Sequence, residues 1–396
     1  MQINVGVFFG CCSVEHEVSI ISAVQAMHSF DREKYNLVPV YVTKDGVMMT
    51  GEELFDIENY KNLPALTKKL RAVTLVREGK EVLMKTLGMF AKSTRIDVAF
   101  PIVHGTNCED GTIQGLFEFL RLPYVGCDII SSAVGMDKAV FKDVLSAAGL
   151  PVLPCVRFYS REFFEERETL LEKIEKEIGL PAIVKPANLG SSVGITKANT
   201  IEELESAINL ACSFADKILV ERALVGLREI NCSVLGDYDE PIASCCEEPI
   251  AHDAILSFED KYLSGGGKKS GGSKGMQSLS RIIPAYIPEE KSEEIRTLAC
   301  RVIKALGGAG IARIDFMLDT ADGDKVYVNE INTIPGSLAF YLWEKSGIGY
   351  KELLSRAVDL AFKRSRKQQS LNFTFESNIL SGVKLGGTKG SKGAKM

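Results

Sequence analysis

The chain of 396 residues has few features of metal-bound, membrane or nucleic-acid-binding proteins. Its ten cysteines form no C-x-x-C pair and its four histidines are dispersed, so zinc-ligand spacing is absent. It has no run of about 18 apolar residues that would span a membrane. The formal charge of −5 is opposite to that of a basic nucleic-acid-binding surface. We therefore expect a cytoplasmic enzyme with reduced thiols and no nucleic-acid or membrane partner.

Strands that alternate with helices predict an α/β protein. Residues 3–9 form an apolar strand without the cationic start of a signal peptide, and a turn at 10–13 leads into a helix with Val18, Ile21 and Val24 on one face. A second strand at 97–103 ends before His104 and Gly105, and a helix begins near Thr112. This order predicts a parallel sheet with its functional loops at the carboxyl ends of the strands.

The length and the change of pattern along the chain predict several domains. We expect an N-terminal α/β substrate domain at 1–130, a central subdomain at 131–218, a C-terminal catalytic domain at 219–364 and a tail at 365–396. The central part is predicted to contain helices at 136–148 and 161–178, strands at 152–158 and 181–186, and a Thr200–Glu203 capping box. The tail is rich in Lys, Arg, Ser and Gly, which predicts disorder, with RNA or lipid contact as the alternative.

Two predicted strands near the C-terminus, 310–318 and 325–332, are joined by a hairpin turn signal, Asp322-Gly323. Because side chains alternate along a strand, each strand presents two polar residues on one face, namely Arg313, Asp315, Glu330 and Asn332. Such a cluster of oxygen donors is suited to Mg²⁺. A solvated salt-bridge cluster has the same pattern, and the hairpin alone does not separate the two.

Three further features fit nucleotide binding, each with a plain alternative. Lys185 precedes a Gly- and Ser-rich turn at 188–194, in which backbone N–H groups can approach a phosphate closely, but an ordinary turn has the same composition. It is not a Walker A loop. Lys138 is either a phosphate ligand or a solvated lysine at a helix start. Glu221 and Glu229 can accept hydrogen bonds from an adenine amine and ribose hydroxyls, or they lie on the surface.

Taken in order, these residues resemble the ATP-grasp layout and, more narrowly, the D-alanine–D-alanine ligase family. The resemblance covers residues 3–363 and is carried by S-V-E-H-E-V-S at 13–19, H-G at 104–105, E-D-G-T-I-Q-G at 109–115, A-I-V-K-P at 182–186, D-K-Y-L at 260–263 and N-E-I-N-T-I-P-G at 329–336. It implies an N-terminal parallel α/β domain, a small central α+β lid domain, a C-terminal α+β domain and a homodimer.

The resemblance also implies ATP and two Mg²⁺ ions as cofactors, with Mn²⁺ able to replace Mg²⁺. The implied ATP-binding residues are Lys138, Lys185, Ser191, Ser192, Val193, Glu221, Ala223, Leu224, Glu229, Lys261 and Asn329. The implied metal ligands are Asp315, Glu330 and Asn332. Glu15, with His104 nearby, would hold the ammonium of the first D-alanine and form a network with Ser191 and Tyr262. Arg313 and the Gly336 amide would stabilise the oxyanion, and Tyr341 and Leu342 would contact the second amino acid.

The implied activity is ATP-driven joining of two D-alanines through D-alanyl phosphate, with release of ADP and phosphate, to make a peptidoglycan precursor. Cys11 and Cys108 replace family glycines on the side of the first substrate, and Tyr341 replaces a serine that grips the second substrate's carboxylate. The Gly-rich stretch 265–275 is either a mobile lid or an inert extension. The alternatives are a ligase for another acid–amine pair, such as one making D-alanyl-D-serine, and a non-catalytic ATP-binding regulator. The pair Lys261 and Tyr262 favours an amine nucleophile over a hydroxy acid.

Overall fold

The structure, a computed structural model, describes residues 2–190, 193–250, 281–374 and 378. The predicted site residues Ser191, Ser192, Lys261 and Tyr262 and the Gly-rich stretch 265–275 lie outside the described residues. Three sheets, of seven, four and five strands, organise the described chain. None of the helices in this part of the chain has the length and apolar character needed to cross a membrane.

The seven-stranded sheet grows from a parallel core. Strand β1 (Ile3–Gly10) pairs in parallel with β2 (Tyr35–Val42) and β7 (Val98–Ile102), so the predicted parallel pairing is confirmed there. Four antiparallel strands that the pattern did not reveal extend one edge: β3 (Met48–Thr50), β4 (Arg71–Glu78), β5 (Glu81–Thr86) and β6 (Ser93–Ile96). The helices of this region are α1 (His16–Ser29), α2 (Leu63–Thr67) and α3 (Thr112–Phe119), with short 3₁₀ helices at Glu52–Phe55 and Ile57–Asn62.

Helix α1 buries a stripe that only partly matches the predicted one. Of the predicted residues, Val24 is buried, whereas Val18 and Ile21 are only half-buried. Ile20, Ala23 and Met27 are buried as well. The difference arises because polar residues take core-facing positions and satisfy their hydrogen bonds there. Ser19 Oγ, for example, donates to the Ile102 carbonyl at 2.6 Å. Apolar periodicity alone cannot identify a buried polar side chain that has a partner.

The four-stranded antiparallel sheet has the order β10-β9-β11-β8. Its strands are β8 (Cys155–Tyr159), β9 (Ala182–Pro186), β10 (Thr196–Ala198) and β11 (Lys217–Arg222). Helices α4 (Ile129–Met136) and α5 (Lys138–Ala147) precede this sheet in the chain, and the helices that pack on it are α6 (Ser160–Glu165), α7 (Arg167–Glu177) and α8 (Ile201–Cys212).

Two predicted elements of this region are wrong in detail. The predicted helix at 161–178 is two helices, because the backbone leaves the helical region at Glu166. Only half of the predicted capping box forms: Thr200 Oγ1 accepts from the Glu203 amide at 3.2 Å. The Glu203 carboxylate accepts instead from the amide of Asn199 at 2.7 Å.

The five-stranded sheet has the order β14-β13-β12-β15-β16. Its strands are β12 (Leu227–Asp237), β13 (Ile242–Pro249), β14 (Arg281–Ile282), β15 (Ala309–Asp319) and β16 (Lys325–Asn332). The helices are α9 (Glu289–Leu306), α10 (Phe340–Lys345) and α11 (Tyr350–Gln369), with 3₁₀ turns at Thr320–Asp322 and Gly336–Ala339.

The register of the C-terminal hairpin confirms the predicted cluster. Arg313 lies opposite Asn332, and Asp315 lies opposite Glu330. The predicted start of the tail at 365 is wrong, since α11 continues to Gln369. Its apolar stripe, which includes Leu354, Val358 and Ala361, is buried and holds the helix on the domain. The predicted domain limits themselves remain predictions.

Candidate active site

A cleft of about 470 Å³ collects residues from all three sheets and the loops that follow their strands. Most of the predicted site residues line it: Glu15, His104, Lys138, Lys185, Glu221, Ala223, Leu224, Glu229, Arg313, Asp315, Asn329, Glu330, Asn332 and Gly336. Val193, Tyr341 and Leu342 are described but are not part of its lining. Residues from position 15 to position 336 therefore converge on one space.

Two lysines meet at one end of the cleft. Lys138, the first residue of α5, donates to the Leu189 carbonyl at 2.7 Å and lies 3.2 Å from Glu330 Oε2. Lys185, at the end of β9, donates to Asn329 Oδ1 at 3.2 Å. Both side chains are buried. Two ammonium groups held close together in a dry cleft form a strong attractor for phosphate oxygens.

Glu221 lines the cleft beside Lys185 and balances the charge of Lys185 and of a third lysine, Lys142. It is buried on β11, and its carboxylate pairs with Lys185 and, at 2.9 Å, with Lys142 of α5. Burial alone would raise the pKa of Glu221, but Lys185 and Lys142 outweigh it and lower the pKa to about 2. Both carboxylate oxygens are therefore engaged by lysines. Sequence reasoning missed Lys142, although its place one helical turn after Lys138 is a readable signal.

The segment after β11 forms the far wall of the cleft. Ala223 and Leu224 lie at its edge, and the Ala223 amide donates to the Pro181 carbonyl at 2.9 Å. Glu229 on β12 lies opposite Met317 of β15, and both line the cleft. An apolar floor beside a strand-end backbone and a carboxylate suits a base and its ribose.

The predicted metal ligands face the cleft from neighbouring strands. Arg313 Nε and Nη2 each donate to the Asp315 carboxylate at 2.7 Å, and Asn332 Nδ2 donates to Asp315 Oδ2 at 3.1 Å. Burial opposes the charge on Arg313, but Asp315 outweighs it and raises the pKa of Arg313. The carboxylates thus already balance positive charge at this place.

Glu15 lies at the opposite end of the cleft from the Ala223 segment, against two glycine backbones. A Cβ on Gly105, whose φ is +80°, would lie 2.9 Å from Glu15 Oε2, and one on Gly190 would lie 3.4 Å from it. Gly105 is therefore required both for its backbone conformation and for the close approach. Because Gly190 is the last described residue before Ser191, the predicted phosphate loop begins beside Glu15.

Glu109, to which sequence reasoning gave no role, also lines this end of the cleft. Burial, followed by the negative charge of Glu15, raises its pKa well above the ordinary range. Its Oε2 accepts from the Ile334 amide at 3.3 Å. Glu109 is thus a carboxyl group that holds the backbone of a loop from another domain.

That loop, residues 333–337, carries the predicted oxyanion donor Gly336. Three residues after it, Ser337, Leu338 and Ala339, have φ between 49° and 53°, a left-handed conformation that costs side-chain-bearing residues free energy. Residues of the N-terminal region hold it. His104 Nδ1 lies 2.8 Å from the Ile334 carbonyl, and the Ser337 amide donates to Ser22 Oγ at 2.9 Å. Burial lowers the pKa of His104, which favours the neutral imidazole.

The residues that differ from the family pattern near the predicted substrates lie in different parts of the structure. Cys11 and Cys108 are both buried in the same hydrophobic cluster, and neither is part of the lining of the described cleft. Leu342 is in the core. Tyr341 is buried, and its hydroxyl donates to Glu247 Oε1 at 3.1 Å. Glu247 and Arg281 line the cleft and were missed, because nothing in their sequence neighbourhood marks them.

Three sheets around a cleft with paired lysines and a carboxylate hairpin define an ATP-grasp enzyme. The family model described as D-ala D-ala ligase N-terminus matches residues 4–127, and that described as D-ala D-ala ligase C-terminus matches residues 144–359. The chain therefore belongs to the D-alanine–D-alanine ligase family. This family consists of ATP-dependent carboxylate–amine ligases, so the alternative of a non-catalytic regulator is not retained.

Curated relatives and solved structures agree with this assignment. The chain is 39% identical over 385 residues to a D-alanine–D-alanine ligase of Thermosipho melanesiensis, covering 97% of this chain and 100% of the relative. It is 40% identical to one of Caldicellulosiruptor bescii, covering 95% and 99%. The solved D-alanine–D-alanine ligase of Coxiella burnetii superposes with a TM-score of 0.77 at 30% identity, covering 93% and 96%. The VanG D-Ala:D-Ser ligase of Enterococcus faecalis superposes with a TM-score of 0.76 at 29% identity, covering 91% and 100%.

The buried pairing of Glu221 gives a prediction about stability. Its pKa of about 2 in the fold lies below the ordinary 4.5. The ionised carboxylate therefore contributes fully above about pH 4.5, and the contribution is lost as the pH falls toward 2. Glu221→Gln leaves two buried lysines without their counter-charge and should lower the free energy of unfolding at pH 7 by about 3–5 kcal/mol. Urea unfolding at pH 7, 4.5 and 3 measures this, and the difference from wild type should shrink at pH 3.

The matched control is Glu352→Gln, which removes a carboxylate from an exposed pair with Arg356 on α11. It should change the free energy of unfolding by about 0.5 kcal/mol or less at every pH. A deficit of Glu221→Gln that stays constant from pH 7 to pH 3 would contradict the ion-pair assignment.

Proposed function

We propose that the protein joins two D-alanine molecules to D-alanyl-D-alanine in an ATP-dependent reaction, releasing ADP and phosphate. The observation that carries the proposal is a single cleft in which Glu15, the lysine pair and the Arg313–Gly336 edge lie together in a chain of this family. A carboxylate for an ammonium group, cations for phosphates and donors for an oxyanion are the three requirements of amide formation through an acyl phosphate.

The proposed position of ATP is supported by the chemistry of the cleft lining. Lys138 and Lys185, with Asn329 beside them, are assigned to the phosphates. Ser191, Ser192 and Val193 are assigned to the loop over them, and Lys261 to a further phosphate contact. The Ala223 carbonyl, the Leu224 backbone and Glu229 are assigned to adenine and ribose. Glu221 is also proposed to lie at the adenine end. Its main role there is to hold the side chains of Lys185 and Lys142 in position, since both lysines pair with its carboxylate.

The hairpin is the proposed Mg²⁺ site. Asp315, Glu330 and Asn332 supply oxygen donors on adjacent strands, which suits Mg²⁺, with Mn²⁺ able to replace it. Arg313 and Lys138 balance these carboxylates in the described structure, so the site already accommodates positive charge. Two bound Mg²⁺ ions would neutralise charge on the transferring phosphoryl group.

The reaction follows from these positions. A carboxylate oxygen of the first D-alanine attacks the γ-phosphorus of ATP, ADP leaves, and an acyl phosphate remains. Glu15 holds the ammonium group of this D-alanine and links to Ser191 and Tyr262. The deprotonated amine of the second D-alanine attacks the acyl carbon, and the resulting oxyanion faces Arg313 and the Gly336 N–H. Collapse breaks the C–O bond, and the leaving phosphate takes the extra proton of the attacking nitrogen, which leaves the amide.

A second candidate acceptor is D-serine. The similarity to the VanG D-Ala:D-Ser ligase favours it, as does Tyr341 at a position that the resemblance assigns to the second substrate. The acceptor therefore needs a direct measurement.

The substrate prediction is that ATP hydrolysis by the purified protein depends on a D-amino acid. With D-alanine alone, phosphate release should accompany a dipeptide of the mass of D-alanyl-D-alanine. With D-alanine and D-serine together, mass spectrometry of the products ranks the two acceptors. Turnover only with D-lactate as the second substrate would refute an amine acceptor, and phosphate release with no dipeptide would refute the ligation.

Glu330→Gln should abolish turnover, because it removes a proposed metal ligand and the partner of Lys138 together. Turnover should fall by on the order of 10²-fold or more, as it does when a group that stabilises charge in a transition state is removed. Removal of divalent ions with EDTA should have the same effect on wild type, and Mg²⁺ or Mn²⁺ should restore it. Glu344→Gln, on α10 outside the cleft, is the control. Unchanged turnover of Glu330→Gln would mean that the metal assignment is wrong.

We further propose a cytoplasmic homodimer. Exposed large apolar side chains on α3 and α4, such as Phe119 and Ile130, offer contact surface. Sedimentation equilibrium should return twice the chain mass of 43.3 kDa. Phe119→Ser should weaken the association, and a monomeric wild type at micromolar concentration would contradict the dimer.

A further inference from the structure

The part of the cleft that receives the second substrate needs a positive charge. This inference rests on the proposed function, in which the second substrate is an amino acid whose carboxylate enters a largely buried space. A carboxylate that leaves water needs a cation or several N–H donors to replace its hydration. Some residue near Arg313 has to supply them.

Six lysines and arginines line the described part of the cleft: Lys138, Lys185, Lys197, Arg222, Arg281 and Arg313. The two buried lysines stand at the phosphates. Lys197 on β10 and Arg222, which pairs with Asp319, belong to the nucleotide side. Arg313 pairs with Asp315 and is assigned to the oxyanion. Arg281 is therefore the remaining cation of the described lining that can bind the carboxylate of the acceptor.

The guanidinium of Arg281 is held by a buried polar cluster. Its Nη1 donates to Glu247 Oε2 at 3.0 Å, and its central carbon lies 4.3 Å from the centroid of the Tyr341 ring. Glu247, only 2% exposed, also accepts at 3.1 Å from Tyr341 Oη and at 3.1 Å from Asn231 Nδ2. Arginine presents five N–H donors in a planar fork, so one fork can bridge two carboxylates.

The cluster adjoins the reacting end of the cleft. Glu247 lies opposite Asn231, which in turn lies opposite Asp315, so one row of side chains crosses the sheet from the cluster to the proposed metal site. Arg281 and Glu247 line the same cleft as Arg313. A group bound at Arg281 would therefore be a near neighbour of Arg313.

We propose that Arg281 binds the carboxylate of the acceptor amino acid, and that Glu247, Tyr341 and Asn231 are its positioning residues. The Tyr341 hydroxyl is engaged by Glu247 and holds the cluster together, so the role that the resemblance assigned to position 341 passes to Arg281. The acceptor class is then an amine with a free α-carboxylate. An acceptor whose carboxylate is replaced by a neutral amide loses this contact.

The test is a competition between D-alanine and D-alaninamide as acceptors, with product masses read after a fixed ATP turnover. Wild type should favour the carboxylate-bearing acceptor. Arg281→Gln should lower kcat/KM for acceptor D-alanine by roughly 30-fold or more, the usual size for losing one partner of a buried charge pair. Its use of D-alaninamide should change by less than about 3-fold, and its KM for ATP should stay unchanged.

Arg228→Gln is the matched control. Arg228 lies in the same sheet and makes a two-point pair with Glu248 at 2.8 Å, but it is not among the described residues that line the cleft. Its acceptor preference should equal that of wild type. Tyr341→Phe keeps the ring beneath Arg281 and removes the hydroxyl, so its preference for D-alanine should fall less than that of Arg281→Gln.

Several outcomes would overturn the proposal. They are an unchanged acceptor ratio in Arg281→Gln, a raised KM for ATP with the ratio preserved, and an effect of Tyr341→Phe as large as that of Arg281→Gln. If Arg281→Gln does not fold, Arg281→Lys, which keeps the charge without the fork, should give an intermediate ratio, and a wild-type ratio there would refute the assignment. Wild type that makes no dipeptide from D-alanine would refute the proposed function itself, a result independent of any variant.

Discussion

The site depends on one contact between distant parts of the chain. The loop 333–337 leads into three consecutive residues with left-handed backbone, Ser337, Leu338 and Ala339, a conformation that side-chain-bearing residues disfavour. His104, Ser22 and the Glu109 carboxylate hold it from the N-terminal side through hydrogen bonds to its backbone. The same contacts fix the position of Glu15, which is buried beside Gly105, relative to Gly336. The proposed pocket for the first substrate and the proposed oxyanion site are therefore positioned together.

Charge balance is the second constraint. The buried cations of the cleft are paired with carboxylates: Lys185 and Lys142 with Glu221, Arg313 with Asp315, Lys138 with Glu330, and Arg281 with Glu247. Each pair reduces the cost of burying its members. A bound nucleotide and metal bring opposite charges of their own, so some of these pairs must rearrange on binding. Glu221 is expected to be the exception, because two lysines engage its carboxylate at once.

The departures from the family pattern separate into two kinds. Cys11 and Cys108 stand where the resemblance has glycines, and both are buried in the same hydrophobic cluster. They therefore contribute to core packing. The change at Tyr341 affects the cleft itself, because the hydroxyl and ring of Tyr341 hold Glu247 and Arg281, two residues that line the cleft. The two sites differ because a small buried thiol can be absorbed by packing, whereas a phenol hydroxyl requires a polar partner.

The sequence by itself determined the ATP-grasp class and the hairpin register, and it predicted the residues for ATP. These features are local: side chains alternate along strands, glycines permit close backbone approach, and the motifs occur in one order along the chain. It also placed Arg313 and Asp315 on a shared face, as the structure confirms. Only the tertiary structure decided which buried groups neutralise one another. Lys142 with Glu221 and Arg281 with Glu247 join residues 79 and 34 positions apart, and no periodicity links them. Their pairing arises from the packing of helix on sheet and strand beside strand, because a buried charge is tolerated only where the fold supplies its counter-charge.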